Sequence, residues 1–244
     1  PQQPDEVVHT FNLLHMTDPG NYVKDSIFDP VNPWAIGFLK AREWGFLLLF
    51  IGFAIKLPMV PLHTWLPDAH VEAPTPVSVV LAALLLKVGG YGFLRIAWPV
   101  FAEAALAFSW LVGVLGVICI IYGALNAMAS KDLKRLIAYS SVSHMGFVLL
   151  GLASMTTEGV TGSIYQMFSH GIISALLFLI AGVISDRTHD RMIDHYSGLA
   201  SRMPAYFSIV LIGFFASMGL PGFSGFIAEI LVFLGAFKSN AVNG

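Results

Sequence analysis

The chain has 244 residues, 56% of them hydrophobic and only 11% charged, with a net charge of −2. A soluble domain carries roughly 25% charged residues, so the composition excludes one and implies an integral membrane protein. A charge so near zero singles out no partner, and the expected surroundings are a lipid bilayer and no nucleic acid.

Residues 1–43 are mixed and polar and read as an extramembrane segment. They open on Pro1 with no charged stretch ahead of a short apolar one, so no signal peptide is expected. The chain reads as an internal piece of a longer protein. A transmembrane domain is expected over 44–237, followed by a short tail at 238–244.

Six hydrophobic spans follow in order, over 44–62, 76–96, 103–129, 133–153, 159–185 and 205–237. They are continuous runs rich in Leu, Ile, Val, Phe and Ala, whereas barrel strands alternate over ~10 residues. They are therefore helices, and the second to fifth have the ~20 residues that a crossing needs. The first runs into KLPMVPL at 56–62, and the last contains MGLPGFSG at 218–225. Proline lacks an amide donor and clashes with the preceding turn, so both helices should break there. Freed carbonyls in a membrane survive only where protein or internal water satisfies them. Two such breaks about 160 residues apart point to internal repeats with an ion site near the broken helices. The expected fold is an all-α integral membrane protein, a polytopic helix bundle with two Pro/Gly-broken helices.

Loop charge orients the bundle. Lys131, Lys134, Arg135, Arg187, Arg191 and Arg202 fall on one side, while Arg95 alone lies in a loop between spans on the other. The positive-inside rule puts the basic side in the cytoplasm. Lys131–Arg135 and the run 186–195 (DRTHDRMIDH) read as solvated loops there.

Lys56 and Lys87 sit inside apolar segments, where a cation costs at least ~2.5–3.5 kcal/mol. Such residues usually face the bundle interior and mark an ion or proton path. Lys56 ends an unbroken half-helix, whose terminal carbonyls favour a cation. Its alternative reading is a lysine that snorkels to the interface. Lys87 lies deeper, and Gly89-Gly90 after it allow close helix approach, which favours a protein-facing side chain. Histidine as a residue type titrates near neutral pH, so His144 and His170 suit a relay, though lone membrane histidines also serve as helix–helix hydrogen-bonding groups. Ser140, Ser141 and Ser143 beside His144, and Ser169 and Ser174 near His170, extend a polar track. Glu229 follows the second break, near a positive helix end, and is the only acid of the sixth span. His63, Asp68 and His70 make a weak metal set, and no metal is expected. Cys119 reads as a small buried apolar residue. No Gly-rich phosphate loop, flavin fingerprint or cysteine ligand set is present, so no cofactor is expected in this chain.

The runs KLPMVPLHTWLPDAHVEAPTPVSVVLAALLLKVGGYGFLR, LKRLIAYSSVSHMGFVLLG, QMFSHGIISALLFLIAGV and GLPGFSGFIAE resemble the antiporter-like membrane subunits of respiratory complex I, NADH:quinone oxidoreductase. The resemblance covers about 43–237 in the family's motif order. Members have about fourteen helices in an inverted-repeat antiporter-like fold, so it implies a piece of that fold from just before the seventh helix to the twelfth. It implies proton translocation along Lys56, Lys87, His144, His170 and Glu229 within the bacterial-type inner (cell) membrane. Glutamate at the position of Glu229 resembles M-type members, whereas L- and N-type members and Mrp-type cation/proton antiporter subunits, the alternative reading, usually carry lysine. The resemblance places NADH, FMN, iron–sulfur clusters and quinone in partner subunits, with neighbouring antiporter-like membrane subunits as partners. It also implies a glutamate partner for Lys56 on an upstream helix that these residues do not include.

Overall fold

Proline and glycine decide where the helices stop. In the computed structural model, which describes residues 12–30, 34–36 and 39–243, the first long helix, α1 (Ala41–Lys56), ends on Lys56 just before Leu57-Pro58. The chain becomes helical again only at α2 (Trp65–Glu72). The sixth expected span is likewise two helices, α7 (Pro204–Ser217) and α8 (Ser224–Asn243), parted at Met218–Phe223. Both breaks fall where proline removes a donor.

Between them run α3 (Thr75–Val100), α4 (Ser109–Ala129), α5 (Leu133–Ala153) and α6 (Thr157–Thr188). These are the four helices among the described residues that are long and apolar enough to cross a membrane. The 32 residues of α6 rise about 48 Å at 1.5 Å each, more than the ~30 Å hydrocarbon core, so its ends overhang.

Three details differ from the sequence reading. The third span begins at Ser109, because Ala102–Ala107 forms a separate short helix. Its Glu103 is drawn into an ion pair with Arg42 at 3.2 Å. A two-stranded hairpin pairs Ala35–Ile36 with Leu39–Lys40. The run 186–195 is largely exposed, as expected, but its first three residues continue α6 and the rest is tied down: Leu133 donates its amide to Arg191 O, Ile193 donates to Lys131 O, and Asp132 bridges to Met192.

The chain folds as two compact units, Pro1–Phe53 with Tyr91–Phe108, and Ala54–Gly90 with Ser109–Gly244. In the first, Phe46, Phe50, Phe93 and Trp98 form a ring cluster. The buried Arg42 beside them donates to the Val100 carbonyl at 2.6 Å.

The second unit holds every candidate residue. There α4 and α5 pack at glycine: a Cβ on Gly146 would lie 2.7 Å from Gly116 O. Small residues let membrane helices approach this closely. Asp132 caps α5 by accepting from the amides of Lys134 and Arg135, satisfying donors that a helix start leaves open. Ala82, Ile137, Leu177, Phe178, Ile180 and Ala181 form the core under the site.

Candidate proton relay

Two stretches of α3, Leu81–Leu85 and Phe93–Ala97, are wound as π-helix, a local widening found often at functional sites. Lys87 lies just after the first. Its Nζ donates to the carbonyl of Ala82 at 2.7 Å and to His170 Nδ1 at 2.6 Å. Gly90 allows the close approach expected of it, packed against Met167 and Leu57. Lys87 therefore faces protein and is partly buried.

His170 is 4% exposed. On α5, the ring of His144 lies 5.3 Å from that of His170, centroid to centroid. His144 Nδ1 is 3.2 Å from Gln166 Nε2 and 3.6 Å from Glu229 Oε1, and its Nε2 is 3.4 Å from Ser217 Oγ. Lys87, His170, His144 and Glu229 thus form a row carried by α3, α6, α5 and α8. Protons pass between groups within hydrogen-bond reach or one water apart.

Glu229 reaches back into the second break. Its Oε2 is 2.7 Å from where a Cβ of Gly219 would stand, and Gly219 has φ +66°. Glycine adopts that left-handed backbone freely, so the break both turns the chain and leaves room for the carboxylate. Ser224, at the start of α8, hydrogen-bonds Ser169 of α6 at 2.6 Å, which ties the break to the helix that carries His170.

Space opens along the row. A void of about 10 Å³ lies among His144, Gln166, Ser169, His170, Ala216 and Gly225. A cavity of about 410 Å³ is lined by Ser140, Ser143, His144, Ser217 and Glu229 together with apolar residues. Ser140 and Ser141 donate to Ile137 O and Ser143 to Ile120 O, so of the expected serine track Ser140 and Ser143 line space while their protons serve the helices. Ser174 donates to Gly171 O.

Lys56 is not brought to this row. It ends α1, as the break predicts, but its side chain is exposed, with no hydrogen bond or ion pair among the described residues. His63 and His70 are buried, and all four of their ring nitrogens lack a hydrogen bond; His70 stacks on Phe178 at 4.2 Å. Asp68 instead pairs with Arg135 at 2.9 Å. Cys119 is buried and accepts from the amide of Val60 at the first break.

Gln166 is the residue that the sequence reading passes over. It lies one turn before His170, and side chains four apart share a helix face. At the basic end of the bundle, Lys134 and Arg191 donate to the carbonyls of Ala73 and Val71, which close α2. Cations suit that helix end. The amide of Met192 and the side chain of His195 hold the Asp190 carboxyl below its usual range.

The family described as "NADH:quinone oxidoreductase/Mrp antiporter, TM" matches residues 38–244. The chain belongs to this family. NADH-quinone oxidoreductase subunit M of Rickettsia bellii is 47% identical over 236 residues, 97% of this chain and 46% of that protein. A chain in the respiratory complex I from Thermus thermophilus with bound NADH is 37% identical with a TM-score of 0.80, over 94% of this chain and 49% of its own. A chain in the Mrp complex from Dietzia sp. DQ12-45-1b is 28% identical with a TM-score of 0.78, over 83% and 38%. The chain therefore spans about half the length of the relatives it matches, and it is a multi-pass membrane protein of the antiporter-like fold.

Proposed function

We propose that this chain is part of a proton-translocating membrane subunit of an NADH:quinone oxidoreductase in a bacterial-type cell membrane. Protons step along Lys87, His170, His144 and Glu229, driven by electron transfer in partner subunits that hold NADH, FMN, iron–sulfur clusters and quinone. The observation that carries this reading is the row itself. Four ionisable side chains on four helices succeed one another, beginning with a lysine bonded to a histidine at 2.6 Å. Membrane proteins keep ionisable side chains off lipid chiefly to move ions.

Residues 44–237 form the transmembrane domain on this reading, with 1–43 and 238–244 outside it. Lys56 joins the row through the rest of the subunit, where an acid meets its exposed ammonium. The neighbours are other antiporter-like membrane subunits. In the full-length subunit, Lys87→Ala or Glu229→Gln abolishes coupled pumping. An unchanged proton-to-electron stoichiometry in both variants would rule the reading out.

A cation/proton antiporter subunit of the Mrp kind is the second reading. The likeness to a chain of the Dietzia Mrp complex, with its TM-score of 0.78, favours it. Glutamate rather than lysine at position 229 speaks against it. Sodium-dependent proton movement in vesicles, without an electron donor, would select this reading over the first.

A further inference from the structure

Two side chains compete for one nitrogen. His144 Nδ1 faces the Gln166 amide at 3.2 Å and the Glu229 carboxylate at 3.6 Å. The amide Nε2 can only donate, and the carboxylate can only accept. Gln166 therefore fits a ring bare at Nδ1, and Glu229 fits a ring protonated there. In the bare state the ring's proton sits on Nε2, which faces Ser217 Oγ at 3.4 Å. Gln166 is 2% exposed, and its Oε1 accepts no hydrogen bond. The amide lines the void between His144 and His170, whose volume of about 10 Å³ is that of one water.

We infer that Gln166 is a positioning residue that selects the tautomer of His144 and makes the ring pass protons toward Glu229. This rests on the relay proposed above. With His144 neutral, Gln166 holds Nδ1 open toward the void and His170, and its Oε1 takes a hydrogen bond from a water there. A proton delivered through that water from the His170 side adds to Nδ1. The amide donor then faces an N–H instead of a lone pair and its bond is lost. The imidazolium turns Nδ1–H to Glu229 Oε1, the proton crosses to the carboxylate, and neutral His144 returns to Gln166 with its Nε2 proton unmoved. One proton enters and one leaves, with no other bond changed. The route is reversible, because a ring bare at Nδ1 also accepts a proton from a protonated Glu229; Gln166 sets the path, and the driving reaction sets its direction.

The test uses the full-length subunit in its assembled complex, in membrane vesicles. Gln166→Leu removes both the donor and the acceptor. Gln166→Glu keeps the shape and the acceptor but loses the donor. Protons moved per electron are measured alongside the infrared signature of the neutral His144 ring, assigned by subtraction of a His144→Gln variant. The native ring is expected to carry its proton on Nε2, and Gln166→Leu to shift it to Nδ1, facing Glu229. Pumping should then fall roughly 10-fold or more, since misplacing a reacting group by 1 Å can cost 10²-fold. Gln166→Glu should hold the ring as imidazolium and lower pumping likewise; it carries the test alone if the leucine variant does not assemble. An unchanged tautomer, or normal pumping despite a changed one, would overturn the inference. If Lys87→Ala leaves pumping intact, the relay fails while the tautomer result still decides what Gln166 does.

Discussion

Lys87 Nζ and His170 Nδ1, 83 positions apart in sequence, meet at 2.6 Å. Lys87 satisfies a histidine nitrogen that would otherwise be bare in the bundle, and its Nζ also donates to Ala82 O. Replacing Lys87 by leucine leaves the buried His170 nitrogen without its donor, at about 1–3 kcal/mol, and removes the first carrier of the row. The variant should assemble with a lowered thermal midpoint and no coupled proton uptake, read by vesicle acidification during electron transfer.

Gly219 is tied to Glu229 by shape. Alanine there must hold φ +66° with a methyl 2.7 Å from the Glu229 carboxylate. The backbone term is about 1–2 kcal/mol, and the carboxylate must also move off His144. Gly219→Ala should cut pumping more strongly than it lowers the melting temperature. Equal, small effects on both would show that the carboxylate has room elsewhere.

The α4–α5 contact makes a sharper stability prediction. A methyl on Gly146 would press on Gly116 O at 2.7 Å and Ile120 N at 2.8 Å, both backbone atoms. The two helices must part, at about 1–3 kcal/mol. Gly113→Ala is the control on the same helix pair, because its methyl would meet only Ala153 Cβ at 3.5 Å. Thermal unfolding in detergent should separate the two variants by several degrees.

Asp190 sets a pH dependence at the membrane surface. The Met192 amide and the His195 side chain favour its charged form in the folded protein. A carboxyl depressed in this way contributes its stability above the unfolded value, near 3.9, and loses it as pH falls through the lower folded value. The Asp190 contacts to the Met192 amide and His195 should hold from neutral pH down to about 4 and be lost below that. Amide exchange at Met192 should then rise in acid, and Asp190→Asn should remove the dependence.

Much of this is legible in the chain. Pro58 and Pro221 mark the two breaks, because a missing amide donor acts wherever it stands. Lys87, His144, His170 and Glu229 stand out for their cost in an apolar run. Gln166 does not stand out: an uncharged amide costs little enough to pass as an ordinary interhelical hydrogen-bonding group, and only its distance to His144 brings it to the row. The stretch 186–195 is largely exposed, as its charges suggest, but they do not reveal that Arg191 donates to Val71 O at 2.6 Å and pairs with Asp132 at 3.3 Å. Glu103 reads as part of a crossing because the apolar run continues past it; the ion pair with Arg42 draws it out.

By itself the amino-acid order determined that this chain enters a membrane, where its helices break, and which side chains are costly there. Those are local matters of hydropathy and backbone chemistry, settled within a few residues. Which of the costly groups meet was decided only by the packed helices, because a contact between α3 and α6 depends on how each is rotated and how closely glycine lets them approach. That is why Lys87 found His170 while Lys56, equally conspicuous in sequence, stands exposed at the end of its half-helix.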